Sequence, residues 1–282
     1  MLNQGLNLIL ISLSVIALWI FFQVFFFASF RIPSDSMEPE LTTGDNVLVY
    51  KLTIGPRLFN IFTSMRNERT GIFRIPGFKR IERNDILVFN FPHPNSWDKI
   101  EMHILKYYIK RCVGLPGDTL SIQNGFYYVK SNLLPLGNMD SQKEISITNK
   151  FQDEVFHSFP YDSIIGWNIK NFGPLYIPQK GDSIILDQKN FQLYKKLIEW
   201  EQQKSLQYMN STTLLNGTQI KGYRFQKNYY FMAGDNAINS QDSRYWGLLP
   251  EEYIVGKAWI IWKSLDPHTR RFRWDRFLKT IH

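Results

Sequence analysis

Residues 119–130, with the sequence TLSIQNGFYYVK, give the clearest indication of the fold. Leu120 and Ile122 alternate with polar residues, Asn124 and Gly125 follow, and an aromatic segment returns. Alternation with a period of two is typical of a strand with one buried face, and Asn-Gly supplies the positive φ angles that a two-residue turn requires. This segment therefore predicts an antiparallel β-hairpin.

The chain beyond residue 30 has the same β character on both sides of this hairpin. Short apolar or alternating runs are separated by Gly, Pro, Asn and Asp, a pattern typical of strands joined by turns. Further strands are predicted within residues 46–51, 85–91, 104–113 and 183–186. One helix is predicted from an N-cap at Asn190 as far as Met209. We therefore predict a mainly β fold built of antiparallel strands.

The N-terminal residues predict one transmembrane helix. The first thirty contain no Asp, Glu, Lys or Arg, and residues 6–30 are almost entirely apolar. About 20 apolar residues cross a bilayer core, whereas the apolar part of a cleaved signal peptide has about 7–15, so a retained anchor is expected. Arg31, Lys51 and Arg57 follow the span. By the positive-inside rule, these charges favour a cytoplasmic body.

Composition divides the chain into five parts. Residues 133–181 are rich in Asn, Ser, Pro and Gly, which indicates a looped lobe inserted between strands. The last residues mix Arg and Lys with aromatic side chains, as in a membrane-surface segment or a solvated tail. We predict an anchor at residues 1–30 and a core in two parts, 31–130 and 223–262. A smaller β-rich lobe is inserted at 131–222, and a basic aromatic tail follows at 263–282.

The overall composition indicates a folded protein, with 16% aromatic and 21% charged residues in 282. The net charge of +8 is compatible with nucleic acid, an anionic membrane surface or acidic substrates. We do not expect a nucleic-acid partner, because the sequence has no helix-turn-helix or zinc-finger pattern. The single Cys112 excludes an intramolecular disulfide, and the five His residues show no metal-ligand spacing, so no metal site is predicted.

Two serines lie directly after the apolar span, in residues 31–41, RIPSDSMEPEL. The prolines near Ser34 and Ser36 restrain the backbone, so this is a rigid extended or turning segment rather than the start of a helix. A rigid serine can be aimed at a substrate. Taken alone, however, the two hydroxyls could simply bond the backbone of a turn.

A lysine lies within an apolar strand-like run in residues 107–118, YYIKRCVGLPGD. In a strand, Lys110 shares a face with Tyr108 and Cys112. Burial would lower the pKa of the lysine, and a neutral amine can accept a proton from a serine hydroxyl. The alternative for this segment alone is a lysine that reaches solvent from an edge strand.

A polar loop in residues 232–247, MAGDNAINSQDSRYWG, is the third segment of interest. Asp242 and Arg244 could pair there and order the backbone. Together and in this order, the three segments resemble the conserved boxes of bacterial signal peptidase I. Two further stretches, GDNVLV at 44–49 and RNDILVF at 83–89, resemble other strands of that family.

The resemblance implies a serine endopeptidase that removes signal peptides from exported precursors through an acyl-enzyme, without a cofactor. Ser36 would be the nucleophile and Lys110 the general base. The Ser36 amide and the Ser34 hydroxyl would form the oxyanion hole. The resemblance further implies that Ser240 orients Lys110 by a hydrogen bond, and that Asp242 and Arg244 hold the loop.

The implied substrate is the signal peptide of a secreted preprotein, bound as an added strand between the Ser34 and Lys110 segments. Small residues, typically Ala, are expected at the first and third positions before the cut. The residues that match the family's pocket walls are Ile32, Met37, Leu41, Tyr108 and Ile109. The chain departs from the family pattern at Asp35, where Gly is common, and at Ala237-Ile238, where Arg-Asp is common. We expect Asp35 to be accommodated, because Asp tolerates unusual backbone conformations.

The resemblance also implies a single-pass protein of the bacterial cytoplasmic membrane, in contact with the lipid bilayer, whose catalytic body lies on the outer face. This opposes the charge rule, but large domains translocate with little regard to flanking charge.

Three alternatives follow from the same residues. The first is another Ser-Lys protease, such as a self-cleaving repressor, which the anchor opposes. A penicillin-binding protein is excluded, because it requires Ser-x-x-Lys and the third residue after Ser36 is Pro39. The last is an anchored binding protein or inactive paralogue that captures exported peptides, against which stands the retention of Ser34, Ser36, Lys110 and Ser240 together.

Overall fold

The computed structural model describes residues 2–60, 62–63, 66, 71–130, 132 and 134–282. The helices within these residues are α1 Leu2–Phe25, α2 Met139–Ile147, α3 Asp153–Phe156, α4 Gln188–Gln202 and α5 Ser243–Trp246. The strands are β1 Phe27–Arg31, β2 Asp45–Tyr50, β3 Arg57–Leu58, β4 Phe73–Arg74, β5 Ile86–Asn90, β6 Tyr107–Gly114, β7 Thr119–Gln123, β8 Phe126–Val129, β9 Phe172–Tyr176, β10 Ser183–Ile185, β11 Leu206–Met209, β12 Thr212–Leu215, β13 Thr218–Ile220, β14 Gly222–Arg224, β15 Tyr229–Ala233, β16 Leu249–Pro250, β17 Ile254–Ser264 and β18 Lys279–Thr280.

Helix α1 extends away from the body. Its segment Gln4–Phe25 is the only one among the described residues that is long and apolar enough to cross a membrane, and none of it is buried. The helix passes almost directly into β1, and Lys51 Nζ donates to the carbonyl oxygen of Gln23 at 2.6 Å. A lysine at a helix C-terminus satisfies carbonyls that have no partner within the helix. The anchor is therefore joined to the body by hydrogen bonds as well as by the chain.

Eight antiparallel strands form the main sheet. Their order is β1-β2-β17-β5-β6-β15-β16, and β18 also pairs with β17. This arrangement confirms the predicted mainly β fold of antiparallel strands. The four strands predicted beyond the hairpin are all present as β2, β5, β6 and β10, with ends displaced by a few residues.

The main sheet is covered on both faces, as β5 shows. Ile86 and Val88 pack into one apolar cluster, and Leu87 and Phe89 pack into another on the opposite face. Successive side chains of a strand point to opposite faces, so a strand buried on both sides is apolar throughout. The neighbouring strand β6 contributes to the same two clusters, through Cys112 and Val113 on one side and Ile109 on the other.

The predicted hairpin is formed by β7 and β8, which pair from Leu120–Val129 to Gln123–Phe126. Asn124 and Gly125 have φ angles of 48° and 88°, as the tight turn requires. Strand β9 pairs with the other edge of β7. The hairpin is thus part of a three-stranded sheet beside the main one.

The predicted helix from Asn190 to Met209 is wrong at both ends. Helix α4 begins after an N-cap at Asp187, whose carboxylate accepts from the Asn190 amide. It ends at Gln202, and the C-cap residue Gln203 has a φ of 54°. Leu206–Met209 instead forms β11 and pairs with β12, because a partner strand is available there. Apolar periodicity alone did not locate the caps.

The C-terminal residues 263–282 are partly packed on the body. Strand β18 pairs with β17, and Arg276 Nη2 donates to Asp45 Oδ2 at 2.6 Å. Arg273 Nη2 donates to the Thr43 carbonyl at 2.7 Å. These bonds place part of the basic tail on the end of β2. The predicted division into core, inserted lobe and tail stays a prediction.

Candidate active site

Two of the segments singled out from the sequence meet at one point. Ser36 lies after the end of β1, Lys110 lies on β6, and Ser36 Oγ and Lys110 Nζ are 2.5 Å apart. Lys110 is only 4% exposed. Burial in this setting lowers the pKa of Lys110 to about 8, because the ammonium loses hydration. The pair therefore has the contact and the basicity needed for proton transfer near neutral pH.

The strand holds Lys110 against an aromatic side chain. Its Nζ lies 5.8 Å from the centre of the Tyr108 ring, and that ring stacks on Phe91 with centroids 4.3 Å apart. Cys112, on the same face of β6, is fully buried. The predicted apolar face around Lys110 is thus present. The charged groups that act on the lysine are Asp242, Arg244, Asp235 and Asp35.

The loop after β15 is fastened to β6 by an ion pair that the sequence analysis did not identify. Arg111 Nε and Nη2 donate to the two carboxylate oxygens of Asp235 at 2.7 and 2.6 Å. A bidentate pair fixes orientation as well as distance. One indication of this pair was present in the sequence, because segment 107–118 carries the basic residue and segment 232–247 the acidic one. Because Arg111 follows Lys110 in the chain, this pair holds the loop close to Lys110.

Asp242 and Arg244 brace the same loop from within. Arg244 Nε and Nη2 donate to Asp242 at 2.8 and 2.7 Å, and Arg244 Nη2 also donates to the Ala237 carbonyl at 2.7 Å. Asp242 Oδ2 in turn accepts from the Gly234 amide at 2.9 Å. Both side chains are at most 1% exposed. That these two residues hold the loop in place stays a prediction.

The expected hydrogen bond between Ser240 and Lys110 is not formed. Ser240 Oγ is buried and has no hydrogen-bond partner among the residues that the structure describes. The hydroxyl instead lies against Gly234, where a Cβ would overlap both Ser240 Oγ and the Ser36 carbonyl oxygen. The prediction is corrected on this point: Lys110 Nζ donates to Ser36 Oγ, and Ser240 Oγ packs against Gly234 without a hydrogen bond to a described residue. The close packing explains why glycine occupies position 234.

Ser34, predicted as an oxyanion donor, lies beside Ser36. Its Oγ is 3.4 Å from Ser36 Oγ, and the residue is exposed. The Ser36 amide donates no hydrogen bond to any residue in the described part of the chain. The assignment of these two donors to an oxyanion hole stays a prediction.

A cleft of about 350 Å³ runs beside the two hydroxyls. Three of the five predicted pocket residues, Ile32, Tyr108 and Ile109, line it. The other two, Met37 and Leu41, do not, because they are fully buried in the cluster around Val47 and Val49. The sequence analysis missed the remaining lining residues, which are Phe30, Arg31, Pro33, Val88, Tyr107 and Gln241.

The residues that depart from the family pattern, Asp35 and Ala237-Ile238, make contacts with other residues of this chain. Asp35 is accommodated without a positive φ, and its carboxylate accepts two bonds from Asn239 Nδ2 at 3.1 and 2.9 Å. Ala237 and Ile238 pack with Ile145 of α2 in an apolar cluster. The substituted loop is therefore held by contacts within this chain.

Metal ligands are not grouped near this site or elsewhere in the described residues. Within them, no set of three or more His, Cys, Asp or Glu side chains is placed to hold a metal ion. The groups at the site that can take part in a reaction are the Ser36 hydroxyl and the Lys110 amine.

Comparison with known proteins gives one family. The sequence model of the signal peptidase family, peptidase S26, matches residues 5–263. Signal peptidase I of Buchnera aphidicola subsp. Baizongia pistaciae is 33% identical over 247 residues, 84% of this chain and 69% of that protein. Signal peptidase I of Helicobacter pylori strain J99 is 29% identical over 285 residues, 92% of this chain and 87% of that protein.

A solved signal peptidase I from Enterococcus faecalis V583 also matches, with 19% identity and a TM-score of 0.31 over 64% of this chain and 97% of that chain. That structural likeness is too low to support an argument. The chain belongs to the signal peptidase family, peptidase S26. The resemblance predicted from its sequence is confirmed.

Proposed function

We propose that this chain is a membrane-bound serine endopeptidase that removes signal peptides from exported precursors, with Ser36 as nucleophile and Lys110 as general base. The observation that carries the proposal is the 2.5 Å contact between Ser36 Oγ and a lysine that is 4% exposed. Family membership and the apolar helix α1 support it. A peptide-capturing protein would need neither a buried lysine nor its contact with a serine.

Acylation begins with Lys110 neutral. Its Nζ lone pair accepts the Ser36 hydroxyl proton while Ser36 Oγ attacks the carbonyl carbon of the scissile peptide bond. Negative charge then develops on the carbonyl oxygen, where the Ser36 amide and the Ser34 hydroxyl can donate hydrogen bonds. The protonated Lys110 gives its proton to the leaving amine, and the peptide bond breaks to leave an ester on Ser36.

Deacylation uses the same residues in the same order. Lys110, neutral again after the amine departs, accepts a proton from a water molecule that attacks the Ser36 ester. Its ammonium then returns a proton to Ser36 Oγ as the ester bond breaks, and the signal peptide leaves with a new carboxylic acid, which loses its proton to water. One buried lysine thus serves as base and acid in both halves of the reaction.

The cleft supports binding of the substrate as an extended strand. On β6, residues 107–110 pair with β5 on one side, while pairing with β15 on the other begins only at Arg111. The substrate backbone can therefore add to this open edge opposite residues 30–34. Ile32, Tyr108 and Ile109 would contact alternate side chains, and their crowding favours small residues such as Ala before the cut.

The dyad assignment is tested with Ser36→Ala and Lys110→Ala in detergent-solubilised full-length protein. The substrate is an exported precursor with an Ala-x-Ala site. Each variant should lose about 10⁴-fold or more in kcat/KM, because nucleophile and base act as one unit. Ser146→Ala is the control and should cleave like wild type, because the Ser146 hydroxyl bonds Asn124 rather than a residue of the site. Cleavage that survives in Lys110→Ala would show that another group is the base.

We also propose that the catalytic body lies on the outer face of the bacterial cytoplasmic membrane, where translocated precursors emerge. Added protease should then digest the body in intact spheroplasts, while a cytoplasmic marker protein stays protected. A body that is digested only after the membrane is permeabilised would place it inside, as the charges after the span favour.

A further inference from the structure

The turn Ala237–Asn239, in the loop after β15, connects the inserted lobe to the nucleophile. Helix α2 lies against it, and Ser141 Oγ accepts a hydrogen bond from the Ala237 amide at 2.6 Å. On the opposite side of the same residue, the Ala237 carbonyl accepts from Arg244 at 2.7 Å. Ala237 is 2% exposed, so both polar groups of its backbone are satisfied by these two side chains rather than by solvent.

The same turn holds the Ser36 segment. The Asn236 amide donates to the Ser36 carbonyl at 3.2 Å, and Asn236 Nδ2 donates to the Asp35 carbonyl at 3.4 Å. Asn239 Nδ2 donates to both carboxylate oxygens of Asp35. The nucleophile segment is therefore bonded to a turn whose own position depends on Ala237.

Helix α2 is itself fixed in place, so it can act as a support. Asn138 caps its N-terminus by accepting from the Ser141 amide. Gln142, 1% exposed, accepts from the Tyr127 amide at 2.9 Å and donates to the Leu136 carbonyl at 2.6 Å. Ile145 packs in the apolar cluster that contains Ala237. These bonds tie the helix to strand β8.

We propose that Ser141 is a positioning residue for the Ser36–Lys110 pair, and that α2 of the inserted lobe supports the catalytic loop through it. The inference rests on the proposed assignment of Ser36 and Lys110. Ser141 touches no reacting atom. It fixes the Ala237 peptide, and through Asn236 and Asn239 it fixes the distance from Ser36 Oγ to Lys110 Nζ.

Helix α2 offers a matched control for this proposal. Ser146 is half-buried like Ser141, and its Oγ also accepts one hydrogen bond, from Asn124 Nδ2 in the β7–β8 turn, at 2.8 Å. Ser141→Ala and Ser146→Ala are thus the same change on the same helix. Only the first removes a bond to the catalytic loop. Ser141→Thr, which keeps a hydroxyl, is the conservative rescue.

The experiment measures kcat and KM on the Ala-x-Ala precursor, with each variant normalised by active-site titration so that only folded enzyme is counted. Ser141→Ala should lower kcat about tenfold with KM within twofold, because displacement of a reacting group by less than 1 Å already slows chemistry. Ser146→Ala and Ser141→Thr should stay within twofold of wild type. Equal kcat in the two alanine variants would overturn the inference, as would a rise in KM without loss of kcat.

Ser36→Ala, which has no nucleophile to titrate and is compared at equal concentration of folded protein, separates this inference from the function itself. If Ser36→Ala still cleaves, the proposed function fails. If Ser36→Ala is inert and Ser141→Ala has wild-type kcat, only the positioning role fails. A double-mutant cycle with Asn239→Ala should be non-additive, because both residues act on the nucleophile through one turn. Additive effects on kcat would also overturn the inference.

Discussion

Two of the buried cations of the site, Lys110 on β6 and Arg244 in the loop after β15, have opposite electrostatic surroundings. They are 4% and 1% exposed. Lys110 contacts a serine hydroxyl, and burial lowers its pKa to about 8. Burial alone would also lower the pKa of Arg244, but the Asp242 carboxylate raises it above its ordinary value. Burial thus produces a base only where no carboxylate is bonded to the cation, and it produces a fixed brace where one is.

Removing the carboxylate that pairs with Arg244 has the larger expected effect on stability. Asp242→Asn leaves the Arg244 charge buried without a counter-charge, so the free energy of unfolding should fall by about 3–5 kcal/mol. Thermal or denaturant unfolding in detergent measures the change. Glu252→Gln is the matched control, because its pair with Lys227 is half-exposed at 26% and 41% and should contribute about 1 kcal/mol or less. Equal losses in the two variants would contradict the distinction between buried and exposed pairs.

Replacing Lys110, which has no carboxylate bonded to it, should stabilise the protein instead. The pKa of Lys110 falls from 10.5 to about 8 on folding, so between these values the unfolded chain binds the additional proton. The wild-type free energy of unfolding therefore rises with pH across this window, and below pH 8 the lysine destabilises the fold by about 3 kcal/mol. Lys110→Met should be more stable than wild type by that amount at pH 7, and the difference should vanish above pH 10.5.

The matched control for this prediction is Lys204→Met, at an exposed lysine of the loop after α4. It should show no pH-dependent gain in the free energy of unfolding. A gain of equal size in both variants would mean that hydrophobic substitution in general, rather than relief of a buried charge, stabilises the protein.

The pH dependence of cleavage tests the same cation by activity. In the proposed mechanism only neutral Lys110 accepts the Ser36 proton, so kcat/KM should fall about tenfold for each pH unit below 8 and level off above it. Initial rates between pH 5.5 and 9.5 measure this limb. Enzyme returned to pH 8.5 after incubation at low pH should recover full activity. A rate that is flat from pH 6 to 8 would be incompatible with a lysine base of this pKa.

Local sequence signals predicted the elements better than their ends. The Asn-Gly turn and the period-two alternation around it are properties of neighbouring residues, and the hairpin formed as expected. The α4 helix was misplaced because Asp187, rather than Asn190, accepts the first amide hydrogen bond. Both residues are good N-caps, and only the surrounding structure chooses between them.

Two predictions about the site differ from the structure, and in both cases the packing of the side chains was decisive. Met37 and Leu41 were placed in the substrate pocket, but the cluster around Val47 buries them completely. Ser240 was given a hydrogen bond to Lys110 that the structure does not contain. An apolar side chain is suited to a core or to a pocket, so residue type alone does not give its location. A hydroxyl can bond many groups, so residue type alone does not give its partner.

The sequence by itself determined the apolar anchor, the antiparallel β character and the segments that carry Ser36, Lys110 and the loop after β15, because these depend on hydropathy, periodicity and residue chemistry along the chain. Only the tertiary structure decided that Ser36 Oγ lies 2.5 Å from Lys110 Nζ, that Asp235 binds Arg111 and that Ser141 reaches Ala237. The physical reason is sequence separation. Each of these pairs joins residues more than seventy positions apart, and folding of the sheet and its inserted lobe brings them within hydrogen-bond distance.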